Sequence, residues 1–117
     1  METTYQPKAL TPDKLQNLSQ EVKQALTELY GARLDRVILF GLYARGDFHA
    51  ESDVDYMVIL RDDDIKSGKE VRLMAPIVSF LSLKYDVEVS VFPTDRAKYT
   101  AGYTHFYKAV QQDGIYT

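Results

Sequence analysis

Two aspartates one residue apart, shortly after a glycine-containing turn, constrain this chain more than any other feature. Residues 41–55 read GLYARGDFHAESDVD and lie between two apolar runs. Side chains at positions i and i+2 of a β-strand share a face, so Asp53 and Asp55 are predicted to point the same way where the apolar run 56–60 begins. Two carboxylates this close repel each other unless a cation lies between them. Mg²⁺ is the natural cation, because one or two carboxylates usually hold it while water and substrate phosphates complete its coordination.

The turn before the acidic pair supplies the second half of such a site. Gly41 and Gly46 allow backbone amides to approach a phosphate closely. A helix that starts in the turn directs its first N–H donors at that phosphate. Residues 41–55 therefore predict a site for a metal-bound nucleotide. By contrast, the adjacent acids 62–64 lie in a polar connection and are interpreted as a solvated loop.

The stretch VILFGLYARGDFHAESDVDYMVIL resembles the minimal nucleotidyltransferase family, a branch of the DNA polymerase β-like superfamily. The family signature is Gly-Ser, ten residues, then Asp-x-Asp, and Gly41, residues 43–52, Asp53 and Asp55 keep this spacing. Leu42 departs from the signature, because the family has a serine there whose hydroxyl helps to hold the nucleotide phosphates. Leucine can donate only its backbone amide.

The resemblance covers most of the chain, including the C-terminal THFYKAVQQDGIY, which is similar to the family's Pro-Phe-Tyr…Glu-Gly-Ile ending. It implies a two-layer, polymerase-β-like α/β domain in which helices flank a small mixed sheet. It also implies that the nucleotide is bound by Gly41, Leu42, Arg45 and Gly46. For Arg45 two roles stay open, since its guanidinium suits either a γ-phosphate or an ion pair with Asp47 or Glu51 that holds the loop.

Polymerase-β-like sites add a third acid from a neighbouring strand. The resemblance favours Asp86, because the family's acid follows a Lys-Tyr or similar pair near the start of this strand. Glu88 lies two residues further on and stays open as an additional or replacement acid. With Asp53, Asp55 and Asp86 as catalytic residues and metal ligands, the resemblance implies ATP as substrate and two Mg²⁺ ions. One ion is held by Asp53 and Asp55, and the second is shared with Asp86.

Small proteins of this family resemble the antitoxins of bacterial and archaeal pairs whose toxin is a helical HEPN-type ribonuclease. This resemblance implies transfer of AMP from Mg-ATP to a tyrosine hydroxyl of the toxin, which adds bulk and negative charge to its RNA-cleaving site. Leu42 leaves an alternative open, in which the protein neutralises its partner by contact alone. The aromatic residues that cluster near the C-terminus suit such an interface: Tyr99, Tyr103, Phe106 and Tyr107. Transfer to a small molecule such as an aminoglycoside fits less well, because a single domain lacks a second one to form the acceptor pocket.

Composition sets the broad class of protein. A chain of 117 residues with 45% apolar residues predicts one domain over residues 1–117. The net charge of −3 and the pI near 5.3 argue against direct nucleic-acid binding. The chain has no cysteine, which excludes disulfides and fits a reducing cytoplasm. The sequence contains neither an apolar run of about 18 residues nor a signal-peptide core, so export and membrane spanning are not expected.

Periodicity and turn residues predict the order of the structural elements. Helices are predicted over residues 11–30, 42–48, 70–83 and 103–112, with a helical turn over 95–99. Strands are predicted over residues 34–40, 53–60 and 85–92, the last closed by Pro93. This order is typical of an α/β two-layer domain with a small mixed sheet.

Overall fold

A four-stranded mixed sheet forms the core of the computed structural model, which describes residues 8–117. The strands β1 to β4 are Leu34–Phe40, Val54–Leu60, Val89–Asp95 and Ile115–Tyr116. The helices α1 to α5 are Pro12–Tyr30, Leu42–Arg45, Ser67–Tyr85, Arg96–Ala101 and His105–Asp113, and a 3-10 turn covers Gly31–Arg33. The strand order is β3-β2-β1-β4, with β1 antiparallel to β2 and β4, and β2 parallel to β3. The predicted α/β class with a small mixed sheet is confirmed.

Alternating side chains divide the core between two faces of the sheet. The back face packs under α1 and α3, and its buried strand residues include Val37, Leu39, Tyr56 and Val58. The front face carries the buried residues Ile38, Phe40, Met57 and Ile59. Tyr99 of α4 and Val110 of α5 cover these front-face residues. None of the helices within residues 8–117 has the length and apolarity that a bilayer span requires.

Helix α1 begins and ends where the sequence predicts. Thr11 caps it, since its side-chain oxygen accepts a hydrogen bond from the Lys14 N–H at 3.2 Å, and Pro12 occupies the first turn. Gly31 follows the last residue with a φ of 55°. Caps and periodicity are local signals, and the helix they define packs its apolar stripe on the back face.

Helix α2 and strand β3 differ from their predicted bounds. Helix α2 stops at Arg45, short of residue 48, because Gly46 turns the backbone into the left-handed region with a φ of 77°. Helix α3 continues to its C-cap Asp86, which is left-handed with a φ of 51°, and β3 starts only at Val89. The strand also continues through Pro93, which the sequence assigns to its end. Proline is tolerated there because β3 is an edge strand.

The polar connection after β2 is more ordered than a solvated loop. Asp62 accepts a hydrogen bond from Arg33 Nε at 3.0 Å, and this contact holds the pKa of Asp62 below its usual value. Arg33 Nη2 also donates to the buried Glu70 at 2.9 Å. The Tyr30 hydroxyl donates to the same carboxylate at 2.8 Å. Through Arg33, Asp62 therefore links the connection to α1 and α3. The neighbouring acids 63 and 64 are exposed, as predicted.

Gly114 follows the end of α5, and packing rather than a left-handed turn requires glycine there. Its backbone is extended, with a φ of −70°. A Cβ at this position would lie 2.4 Å from Ile38 Cγ2 and 2.5 Å from the Val110 carbonyl oxygen. The close approach leads the chain into β4, a two-residue strand that the sequence analysis missed.

The substitution Gly114→Ala is expected to lower the free energy of unfolding by about 1–3 kcal/mol, because it overpacks the contact between α5 and β1. Urea unfolding measures this change. Gly68→Ala is the matched control: within residues 8–117, its added Cβ would meet only Arg72 Nη1, at an ordinary 3.7 Å. Equal destabilisation of both variants would contradict the packing explanation.

Candidate active site

Asp53 and Asp55 share the front face at the beginning of β2, as the sequence predicts. Asp55 lies two residues before the front-face core residue Met57, and Asp53 lies two residues before Asp55, immediately ahead of β2. Asp55 is half-buried and Asp53 is exposed. Burial raises the pKa of Asp55, the charges of Asp53 and Glu88 raise it further, and the positive charge of Arg45 opposes these effects. Asp53, Glu88 and Arg45 therefore lie close enough to Asp55 for their charges to act on its carboxylate.

Gly41 brings the turn into contact with the acidic pair. It follows β1 directly, with a φ of 76° and a ψ of −153°. A Cβ on Gly41 would lie 2.6 Å from Asp55 Oδ2. The Asp55 carboxylate therefore rests against the backbone of the turn, and no residue larger than glycine fits between them without a shift. We call the turn at Gly41 and Leu42, together with Asp53 and Asp55, the cradle.

Tyr43 anchors the turn to the core. This side chain is buried, and its hydroxyl accepts a hydrogen bond from the Leu10 N–H at 3.0 Å. Its ring stacks on Phe48, with the two ring centroids 4.4 Å apart. Leu42 is half-buried and opens α2, so its N–H belongs to the first turn, whose donors lack acceptors within the helix itself.

Arg45 lies near both the loop and the acids. Its Nε is 3.8 Å from Asp47 Oδ2, which agrees with the ion-pair role for Asp47 rather than for Glu51. Both side chains are exposed, so this pair contributes little to stability. The charge of Arg45 also lowers the pKa of Asp55. The guanidinium thus compensates part of the negative charge at the cradle.

Glu88, not Asp86, lies beside the acidic pair. Continuing the parallel register of β2 and β3 by one residue places Glu88 opposite Asp53. The Glu88 carbonyl accepts the Val54 N–H at 2.9 Å, which fixes this alignment. The prediction that Asp86 lies on the strand is wrong, because Asp86 is the exposed cap of α3. The assignment of Asp86 to the metal site, which rests on the resemblance, stays a prediction.

Ser52 is a loop residue that the sequence analysis missed. It is buried, and its hydroxyl accepts the His49 N–H at 2.9 Å. The Ser52 N–H in turn donates to the His49 carbonyl at 3.1 Å. These bonds close the loop immediately before Asp53. The only signal in the sequence was the position next to the first acid.

The donors at the cradle fit Mg²⁺ in its two-carboxylate mode. Among residues 8–117, no set of three or more Asp, Glu, His or Cys side chains is arranged to hold a metal ion by itself. Asp53 and Asp55 supply oxygen donors only, which is the chemistry that Mg²⁺ prefers. Burial and then the charge of Asp53 raise the pKa of Asp55, and a cation held between the two carboxylates would oppose both effects.

Comparison with known sequences identifies the family of the chain. A family model described as a nucleotidyltransferase domain matches residues 19–115. The chain belongs to the nucleotidyltransferase domain family. This nucleotidyltransferase domain is 42% identical over 71 residues to a predicted protein adenylyltransferase of Methanocaldococcus jannaschii, and the match covers 61% of the chain and 70% of the relative. A second predicted protein adenylyltransferase of that organism is 45% identical over 40 residues, which is 34% of the chain and 40% of the relative.

Solved structures share the fold of the nucleotidyltransferase domain. A chain in a toxin–antitoxin structure with AMP-PNP has a TM-score of 0.60 at 20% identity, covering 84% of this chain and 70% of that one. A predicted nucleotidyltransferase from Sulfolobus solfataricus has a TM-score of 0.60 at 15% identity, with coverages of 89% and 82%. A chain in the complex of tri-AMPylated Shewanella oneidensis HEPN toxin with MNT antitoxin has a TM-score of 0.57 at 17% identity, with coverages of 86% and 69%. At these identities the likeness concerns the fold.

Proposed function

We propose that this nucleotidyltransferase domain is a cytoplasmic antitoxin that transfers AMP from Mg-ATP to a tyrosine hydroxyl of a HEPN-type ribonuclease toxin. The observation that carries the proposal is the contact of the Asp55 carboxylate with Gly41, which joins the acidic pair and the glycine turn in one cradle. Similarity to predicted protein adenylyltransferases supports a protein acceptor. A structural neighbour that contains a tri-AMPylated HEPN toxin supports the class of partner.

Each part of the cradle has a role in this reaction. Asp53 and Asp55 would hold Mg²⁺, which would neutralise charge on the triphosphate and on the leaving pyrophosphate. The turn at Gly41 and Leu42 presents backbone amides to the phosphates. Glu88, rather than Asp86, serves as the third acid of the site beside Asp53 and Asp55. The phenol oxygen bonds to the α-phosphorus, the bond to the bridging oxygen breaks, pyrophosphate leaves, and the phenolic proton passes to water.

The assignment of the third acid is testable by two matched substitutions. Glu88→Gln is expected to lower the rate of AMP transfer at least about 100-fold, or ~3 kcal/mol, because it removes a charge beside the acidic pair. Asp86→Asn is expected to keep the rate within about threefold, and asparagine tolerates the left-handed backbone there. Initial rates of pyrophosphate release with Mg-ATP measure both. A larger loss in Asp86→Asn would refute the assignment of Glu88.

Neutralisation by contact alone is the second candidate, and Leu42 favours it because the turn lacks the serine hydroxyl. The deciding experiment incubates the protein with Mg-ATP and a HEPN-type toxin, then weighs the toxin by mass spectrometry. We expect the toxin to gain the mass of one or more AMP groups. The variant Leu42→Ser is expected to change the affinity for the nucleotide by at most about tenfold, because one added hydrogen bond contributes a net ~1 kcal/mol. Inhibition without any mass change would support contact alone.

A further inference from the structure

Three aromatic rings lie beside the acidic pair on the front face. Phe40 is the register partner of Asp55 on β1. Ser90 is the partner of Asp55 on β3, and Phe92 follows it by two residues on the same face. Phe106, in the first turn of α5, completes the group. We call Phe40, Phe92 and Phe106 the front aromatic cluster.

The rings of this cluster are packed on one another but only partly covered. The ring centroids lie 5.4 Å apart for Phe40 and Phe92, 5.4 Å for Phe40 and Phe106, and 5.8 Å for Phe92 and Phe106, all in edge-to-face arrangement. Phe40 is buried, whereas Phe92 and Phe106 remain 40% and 42% exposed. The cluster therefore presents two supported aromatic surfaces to solvent next to Asp55.

Phe92 lies on the side of the acids away from the phosphate turn, and Phe106 packs on both Phe92 and Phe40 between the two sides. Gly41 follows β1, so the turn lies on the β1 side of β2, whereas Phe92 lies on β3 at the opposite side. Attacking and leaving oxygens are roughly in line in phosphoryl transfer. With pyrophosphate leaving towards the turn, the acceptor approaches from the β3 side and passes the exposed rings.

We propose that Phe92 and Phe106 form the acceptor subsite and hold the phenol ring of a tyrosine while its hydroxyl reaches the α-phosphorus above Asp55. The inference rests on the proposed function and assigns its acceptor class to named residues. Aromatic rings attract one another in offset and edge-to-face arrangements beyond simple burial of area. A serine or threonine acceptor lacks a ring to fill the subsite, so these two phenylalanines select tyrosine. The transfer itself is the one described above, in which the phenol oxygen displaces pyrophosphate.

The test measures AMP transfer from Mg-ATP to N-acetyl-tyrosinamide and to N-acetyl-serinamide. Calorimetric titration with Mg²⁺ and AMP-PNP measures nucleotide binding separately. Phe92→Leu and Phe106→Leu keep an apolar side chain at each position, and Phe80→Leu is the control, since Phe80 is 63% exposed on α3, behind the sheet. We expect the KM for the tyrosine amide to rise at least about tenfold in the double variant Phe92→Leu/Phe106→Leu, with nucleotide affinity unchanged. The thermal midpoint of this variant is expected to fall, because three edge-to-face ring contacts are lost. Phe80→Leu is expected to match the unaltered protein.

The outcomes separate the subsite from the proposed function. An unchanged KM for the tyrosine amide, or equal use of the serine amide, overturns the acceptor subsite. A loss of AMP-PNP affinity at unchanged acceptor KM also overturns it, because the rings then hold the nucleotide base. Nucleotide binding without transfer to either amide overturns the subsite while the cradle stands. If the unaltered protein binds no nucleotide, the calorimetric titration shows that the proposed function itself fails, and the subsite fails with it.

Discussion

Asp55→Asn is expected to abolish AMP transfer, with a loss of at least about a thousandfold, or ~4 kcal/mol. The Asp55 carboxylate rests against Gly41 and beside Asp53, so an amide there removes a charged oxygen donor from the centre of the cradle. Mg²⁺ binds carboxylates in preference to neutral amides because of their charge. Pyrophosphate release with Mg-ATP and a tyrosine acceptor measures the loss.

The same variant is expected to have a higher free energy of unfolding at pH 7 in EDTA than the unaltered protein. Burial and the neighbouring acids raise the pKa of Asp55 in the folded protein, so folding disfavours its ionised form. Ionisation therefore destabilises the fold increasingly as pH rises through the folded pKa, and a neutral side chain removes this effect. Urea unfolding measures the change, and Asp63→Asn in the exposed connection is the control for both assays. Retained transfer in Asp55→Asn would refute the site.

Gly41→Ala is the second substitution with a large expected effect: the rate of AMP transfer should fall at least about 100-fold. The added Cβ would lie 2.6 Å from Asp55 Oδ2, so either the carboxylate or the turn must move. A displacement of about 1 Å at a reacting centre can cost about 100-fold in rate. The same pyrophosphate assay measures the change, at saturating Mg-ATP.

Gly31→Ala separates this contact from backbone strain. Gly31 shares the left-handed region, with a φ of 55°, and among residues 8–117 no atom lies within 4 Å of its added Cβ. Both variants are expected to lose about 1–2 kcal/mol of stability, because alanine is strained in this region. Only Gly41→Ala should lose activity. A comparable loss of rate in Gly31→Ala would show that general destabilisation, not the Asp55 contact, controls turnover.

The acidic pair and the turn could be predicted because their residues are contiguous in the chain. A fixed spacing of Gly41, Asp53 and Asp55 carries the signature without any tertiary information. Helix α1 could be predicted for a similar reason, since Thr11 and Gly31 mark its ends locally. What the sequence could not show is the contact itself, in which the turn backbone touches the Asp55 carboxylate.

The position of Glu88 opposite Asp53 could not be predicted, because it depends on where α3 ends. The alternation in YDVEVSVF looks the same whether the strand starts at Tyr85 or at Val89. Pairing with β2 decides the start, and the left-handed Asp86 then belongs to the helix cap. Strand β4 was missed for a related reason: two residues carry no readable alternation, and they pair only because β1 has a free edge.

Pro93 determines how another protein can meet this domain along β3. A proline in an edge strand has no N–H to offer, and the row of donors along that edge is interrupted in the middle of the strand. A partner chain therefore cannot extend the sheet there by continuous strand addition. Recognition on this side must instead use side chains, and the same interruption protects the edge against pairing with other copies of the domain.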